Sequence, residues 1–262
     1  VAQNKQRQRE LFAQHRLPQP RHRIVRTVHG AEQAAEAIEY PVIVKAAFGG
    51  YDGRGVWRCT DEASLVEVVS GLAERSIPIV VEAEVRIERE LAVMVARDHV
   101  GRTTVLPTVE TVQIDGICRQ ITYRADCHVP EAVRIAEIVA NVVDLTGVMA
   151  VELFESDGQL LINEIATRPH NSGHYSIEAL ASSQFEHHLR SVLGIAPGSI
   201  EPRAPFAVSV NVLGPDDGSD PRDRIGLLAS GDVHIHMYGK GARSGRKLGH
   251  VTVLGDDLDL CI

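Results

Sequence analysis

The chain has 262 residues, 44% of them apolar, 24% charged and 4% aromatic, a globular composition long enough to bury one large core or two small ones. Its 27 basic and 35 acidic side chains leave a net charge of −8, which argues against a nucleic-acid or anionic-membrane binder whose affinity rests on overall charge. The longest apolar stretches, such as Leu91 to Ala96 and Gly147 to Val151, fall far short of the roughly 20 residues that span a bilayer.

The first residues, Val1-Ala2-Gln3-Asn4-Lys5, hold no apolar core of a secretory signal, and without an initiator Met the chain reads as a fragment whose natural start lies upstream. Cys59, Cys118, Cys127 and Cys261 form no C-x-x-C pair, so they read as reduced thiols of a cytosolic protein and not as a zinc knuckle or disulfide scaffold. Asn4 to His15 reads as a helix stopped by Leu17-Pro18-Gln19-Pro20. Ile24-Val25 is strand-like, Ala31 to Ile38 is a short helix capped by Thr27, and Val42-Ile43-Val44 is a buried strand ended by Lys45. After glycine-rich Gly49 to Gly55, Val56 to Cys59 resumes a strand, and a helix capped by Thr60 or Asp61 runs to about Ala73. Strands follow at Ile79-Val80-Val81, Glu90 to Arg97, Thr104 to Leu106 and Thr111 to Ile114. Pro130 opens a helix whose apolar face is Val133, Ile135, Ala136, Ile138, Val139 and Val142, closed by Gly147. Val148 to Phe154 and Leu160 to Ile165 form a hairpin about Ser156-Asp157-Gly158, and Ser176 to Leu193 is a second long helix ended by Gly194. Phe206 to Leu213, Val233 to Tyr238 and His250 to Leu254 are strands. No internal repeat appears.

Four segments carry chemistry. Gly49-Gly50-Tyr51-Asp52-Gly53-Arg54-Gly55 lies between two strands, so it is no Walker A loop, which opens a helix; it reads either as a flap over a nucleotide with Lys45 at its base or as an ordinary hairpin. Glu152 and Glu164 stand in apolar strands, where a carboxylate is costly unless paired or metal-bound. With an odd-numbered loop both face one side of the sheet, and with Asn163 they suit Mg²⁺; with an even loop one faces solvent. Arg168-Pro169-His170-Asn171-Ser172-Gly173-His174 precedes the second long helix and reads as an anion site at its N-terminus, with Ser172 or Ser176 as a cap. Lys240-Gly241-Ala242-Arg243-Ser244-Gly245-Arg246-Lys247 is either a solvated run or a phosphate clamp. His234 and His236 share a strand face, but no third ligand is evident and a structural role fits them better.

Taken together, P-V-I-V-K-A, G-G-Y-D-G-R-G, E-L-F with L-I-N-E-I-A, R-P-H-N-S-G-H-Y, S-Q-F-E-x-H-L-R and S-G-R-K-L-G-H resemble the ATP-grasp family of 5-(carboxyamino)imidazole ribonucleotide synthetases, the ATP-dependent subunit of phosphoribosylaminoimidazole carboxylase in purine biosynthesis. The resemblance covers about Gln3 to Leu254. It implies an α+β, ATP-grasp fold with two subdomains gripping ATP, here 1–81 and 82–198, and a small β-rich C-terminal subdomain, 199–262. It also implies a reaction of aminoimidazole ribonucleotide, bicarbonate and ATP, with Mg²⁺, in a cytoplasmic homodimer. Lys5, Lys45, Gly50, Tyr51, Asp52, Gly53, Arg54, Gly55, Val56, Glu82, Ala83, Glu84, Val85, Glu90, Gln113, Asn163 and Glu164 then match nucleotide contacts, and Glu152 and Glu164 magnesium ligands. Within that scheme Glu82 to Val85 faces adenine and Glu90 meets the ribose. Tyr51, Asp52 and Arg54 match positions at the imidazole nucleotide and carboxylation centre, as do Arg168, His170 and Asn171, while Lys240, Arg246 and Lys247 match its phosphate site. Asp52, Arg54 and Lys240 are the expected catalytic groups.

Three positions depart from the family pattern: Gln113 stands where His is usual, Lys5 where Arg is usual, and Thr167 replaces Pro before Arg168. No strand-plus-glycine turn precedes Asn4, so the family's N-terminal domain is expected to be missing. The alternatives are a non-catalytic ATP-binding fragment and another ATP-grasp carboxylate–amine ligase, such as the formate-dependent glycinamide ribonucleotide transformylase.

Overall fold

The computed structural model describes residues 1–49, 55–225 and 233–261. The chain forms two compact units, the first of Val1–Glu90, Asp115–Ile117 and Val151–Ala166, the second of Leu91–Ile114, Cys118–Ala150 and Thr167–Ile262. In the first unit, helix α1 (Lys5–Gln14) starts at Asn4, whose side chain accepts from the Arg7 N–H. It is followed by β1 (His22–Val25), α2 (Val28–Ile38), β2 (Val42–Ala46), β3 (Val56–Cys59), α3 (Glu62–Glu74) and β4 (Ile79–Ala83). Thr27 caps α2, as expected, and Asp61 caps α3 in a reciprocal box with Ser64.

The four strands form an antiparallel sheet in the order β1-β4-β2-β3. Ala31, Ala35, Leu65, Val69, Val42, Val44 and Val81 bury one face of it under α2 and α3. Strand β2 runs through Lys45 and does not end there, because Lys45 pairs with Val80 and Ile43 with Glu82. Alternation therefore sends the Lys45 and Glu82 side chains to the face away from α2 and α3, as diagonal neighbours.

The next elements are β5 (Arg89–Arg97), β6 (Thr103–Val105), β7 (Val109–Ile114), β8 (Ile117–Arg124), α4 (Pro130–Val142), β9 (Gly147–Ser156) and β10 (Gln159–Ala166). After β10 come α5 (Ser176–Ala179), α6 (Gln184–Leu193), β11 (Phe206–Leu213), α7 (Arg222–Ile225), β12 (Val233–Met237) and β13 (Lys247–Gly255). In the second unit the strand order is β9-β5-β7-β8-β11-β13-β12, with β6 also on β5. Its core gathers Met94, Leu106, Ile121, Tyr123, Val148, Tyr175, Leu180 and Ala207, with the Tyr123 and Tyr175 rings stacked 5.3 Å apart. Among the described residues no helix is long and apolar enough to cross a membrane.

Strand β8 was not expected from the sequence, since its buried Cys118, Ile121 and Tyr123 are separated by polar residues. Asp115 and Gly116 before it both have positive φ, the signature of a two-residue hairpin turn. The buried stripe of α4 is Ala132, Ile135, Ala136, Val139 and Ala140, so small alanines replace Val133, Ile138 and Val142 of the expected face. Gly147 does not close α4, which ends at Val142; it opens β9 at a φ of 115°. A Cβ there would lie 2.8 Å from the His188 ring, whose Nδ1 accepts from the Val148 N–H. Gly147→Ala is expected to cost about 1–3 kcal/mol, read from the urea midpoint.

The second long helix is also two pieces. Residues 180–182 run extended against 199–202, with Leu180 bridged to Pro202, and Ser183 then caps α6. Adjacent serines, good caps and poor mid-helix residues, explain the break.

Candidate active site

The first group of site residues lies in the first unit. On α1, Lys5, Gln8, Arg9 and Phe12 recur at helical spacing on one stripe, and Gln8, Arg9 and Phe12 are buried. Arg9 is 2% exposed and spends its guanidinium on three partners: Nε donates to Glu82 Oε1 at 2.6 Å, Nη1 to the Ile162 carbonyl at 2.9 Å and Nη2 to the Asn163 carbonyl at 2.9 Å. Lys45 Nζ lies 2.8 Å from the other Glu82 oxygen and donates to Asn163 Oδ1 at 3.1 Å. A closed ring of charge thus joins α1, β2, β4 and β10. Burial pushes the Glu82 carboxyl up, but Lys45 and Arg9 more than offset it and hold it at about 2. The same burial lowers the Lys45 ammonium, with Glu82 opposing. Arg9 was missed in the sequence, although a basic residue on the stripe of Phe12 signals a buried role.

The hairpin of β9 and β10 positions the acids by a route the sequence did not show. Asp157 and Gly158 both take positive φ, 49° and 72°, and the strands end at Ser156 and Gln159, so the loop has two residues and not three. Such a turn sets Ser156 opposite Gln159 and Glu152 opposite Asn163, and strict alternation would then turn Glu164 to the other face. Alternation breaks at that point. The Ile162 N–H donates to the Pro18 carbonyl at 2.9 Å and its own carbonyl accepts from Arg9, while the Ile165 N–H donates to Gln8 Oε1 at 3.0 Å. Residues three apart cannot both turn their backbone groups to one edge of a regular strand, so β10 carries an extra residue at Asn163-Glu164. Ile162 and Ile165 are both buried accordingly, and Asn163 and Glu164 both half-buried. Glu152 on β9 is half-buried like Asn163 and Glu164, and Lys5 Nζ donates to Glu164. An all-oxygen set of two carboxylates and an amide suits a hard cation such as Mg²⁺.

Of the other expected nucleotide residues, Gly50, Tyr51, Asp52, Gly53 and Arg54 lie outside the described residues. Gly55 has a φ of 77° and accepts from the Ala46 N–H, and exposed Val56 pairs with Lys45. The Ala83 N–H donates to the Arg21 carbonyl, Glu84 holds Arg58 through both oxygens, and Val85 is half-buried. Burial raises the Glu90 carboxyl to about 7 from an ordinary 4.5. Folded protein then keeps a proton that the unfolded chain releases between those values, so this group's contribution falls as pH rises through that window. Glu90→Gln cannot ionise; the melting temperature of the wild type minus that of the variant should therefore decline from about pH 5 to about pH 8.

The second group lies in the second unit. After β10, Arg168, His170 and Asn171 lead into a 3₁₀ turn at Asn171–Gly173 and the four-residue α5, too short for the helix dipole invoked from the sequence. His170, not Ser172 or Ser176, caps the turn by accepting from the Ser172 N–H. Fully buried Gln184 clamps the segment: Oε1 accepts from the His170 N–H at 2.7 Å, and Nε2 donates to the His170 carbonyl at 2.8 Å and meets His174 Nδ1 at 3.0 Å. Only glycine fits at 173, because a Cβ there would lie 2.5 Å from Gln184 Oε1. Asn171 Nδ2 is a buried donor with no partner among the described residues, a feature suited to an oxygen-bearing substrate.

Lys240 Nζ lies 5.0 Å over the Tyr238 ring, Arg246 donates to the Gly241 carbonyl, and Lys247 begins β13. Gly214 pins this loop: a Cβ would lie 2.1 Å from the Arg243 carbonyl oxygen. Burial first, and then the neighbouring His170, His236, Lys247 and Arg168, lower His174 to about 4. Gln113 is half-buried on β7.

Residues 10–185 match the family model described as ATP-grasp domain, and residues 207–262 the one described as phosphoribosylaminoimidazole carboxylase C-terminal domain. An N5-carboxyaminoimidazole ribonucleotide synthase of Mycobacterium leprae is 42% identical over 241 residues, 87% of this chain and 55% of the relative. The crystal structure of an ADP complex of N5-carboxyaminoimidazole ribonucleotide synthetase superposes with a TM-score of 0.89 at 32% identity, covering 99% of this chain and 69% of that one. The Aspergillus clavatus synthase, in complex with ADP and 5-aminoimidazole ribonucleotide, gives 0.87 at 31% identity, covering 99% and 70%. The chain spans between 55% and 63% of the length of such curated relatives.

Proposed function

Because the chain belongs to the ATP-grasp family, and within it to the N5-carboxyaminoimidazole ribonucleotide synthases, we propose that it carries out the ATP-dependent carboxylation of 5-aminoimidazole ribonucleotide. Bicarbonate is the second substrate, ADP and phosphate are released, and the assembly is a homodimer. ATP phosphorylates bicarbonate, and the exocyclic amine captures the resulting carboxyphosphate or the CO₂ it releases. The observation that carries this reading is the set of cations at β10: Lys45 Nζ donates to Asn163 Oδ1 and Lys5 Nζ to Glu164.

In that reading Glu152 and Glu164 hold Mg²⁺, which neutralises phosphate oxygen charge when bound. Lys45 directs its ammonium to the same phosphates, and Glu90 and residues 82–85 hold the nucleoside. Arg54 stabilises the transferred group, and Asp52 orients the amine. Arg168, His170 and the unpartnered Asn171 amide hold the carboxylation centre. Lys240, Arg246 and Lys247 bind the nucleotide phosphate. Catalysis is then mainly positioning and charge neutralisation, as phosphoryl transfer requires.

The deciding measurement is phosphate release from ATP with each co-substrate in turn. Release that rises only with both aminoimidazole ribonucleotide and bicarbonate is expected. Stimulation by formate would transfer the reading to a transformylase, and nucleotide binding without turnover would make the chain a binding module.

A further inference from the structure

We propose that Glu178, His236 and His250 form a site for one divalent transition-metal ion of the zinc class, built from residues that the proposed reaction does not use. His236 on β12 and His250 on β13 stand directly opposite each other across antiparallel strands, a spacing from which two imidazoles reach one ion. Glu178 comes from α5 and places Oε1 2.6 Å from His236 Nε2. One donor atom from each of the three residues lies within 4.8 Å of the others.

A second observation points to a ligand. Glu178 Oε2 and His250 Nε2 are buried without a hydrogen-bond partner among the described residues, in residues only 8% and 2% exposed. Two such orphans in one cluster are costly unless something binds them. His250 Nδ1 is 2.7 Å from the Tyr238 hydroxyl; with its proton donated there, the Nε2 lone pair is available, the usual support for a metal-bound histidine. Two imidazoles and a carboxylate favour zinc over magnesium, with water completing four-coordination. Tetrahedral zinc sets its donors about 3.4 Å apart, so the closest pair opens by under about 1 Å and the widest closes by at most about 1.4 Å. The His250 ring is flanked by His174 at 4.6 Å and His236 at 4.7 Å in near-parallel stacks. Parallel rings cannot both hold one ion in their planes. The half-exposed His236 therefore turns out of the stack on binding, and its exposure gives the ion its entry.

The test is equilibrium dialysis of the chelator-treated full chain against Zn²⁺, with metal content by mass spectrometry and Co²⁺ as a coloured substitute. One ion per chain, a d–d absorption band with Co²⁺ and a Zn²⁺-induced rise in melting temperature are expected. His236→Ala should lose affinity at least about tenfold and lose the thermal shift. His234→Ala, at an exposed position two residues away on the same strand, should keep both. Circular dichroism checks folding, and if His236→Ala is unfolded, Glu178→Gln decides in its place, with the same loss expected. Absence of stoichiometric binding at micromolar free Zn²⁺ overturns the proposal. So does equal binding by the wild type and whichever of these variants is folded.

Discussion

Replacing Arg9 by Met should lower folding stability by about 3–5 kcal/mol, seen as a reduced urea midpoint with an unchanged slope. The loss has two sources: buried Glu82 keeps only Lys45, and the carbonyls of Ile162 and Asn163 lose their donor. Arg9→Lys should fall between, since one ammonium cannot reach all three acceptors in the fork geometry of a guanidinium. The pH dependence gives an independent reading of the same ring. Glu82 is held at about 2 against an ordinary 4.5, so its contribution is full above 4.5 and is lost as the pH falls toward 2. That contribution is worth roughly 3 kcal/mol. In Arg9→Met the acid loss should begin at higher pH, because one of the two cations holding the carboxylate is gone.

The second large effect is expected at Lys45. Lys45→Met should reduce ATP-dependent turnover by about 10²- to 10³-fold, measured as kcat under saturating substrates, with nucleotide affinity falling as well. Lys45 also neutralises Glu82 and holds Asn163, so the folded fraction of the variant must be established by circular dichroism before the rate is read. If a folded Lys45→Met turned over normally, the phosphate contact assigned to Lys45 would be wrong.

The Thr27 cap, a cap at Thr60 or Asp61, and the apolar runs of β2, β4 and β5 were legible because each rests on local chemistry or simple periodicity. Glu152 and Glu164 were legible as costly charges in apolar strands. The Glu82 partner was not, since Arg9 lies 73 residues away and looks like one more polar residue of an exposed helix. Nor was the course of β10: for Glu152 and Glu164 to share a face the sequence argument required an odd loop, whereas the loop is even and the strand itself slips. Such a slip depends on what binds the outer edge of β10, a tertiary circumstance that alternation of residue types does not encode. The single long helix expected over Ser176 to Leu193 failed for a related reason, as pairing of 180–182 with a later segment outweighs helix propensity.

That outer edge has a consequence for solubility. β10 ends its sheet, and its backbone groups are met by Gln8, Arg9 and Pro18 in place of another strand. The first eighteen residues therefore act as a guard against strand addition from a neighbouring molecule. A shortened chain beginning beyond them would present a naked ladder beside two isoleucines, an invitation to aggregate.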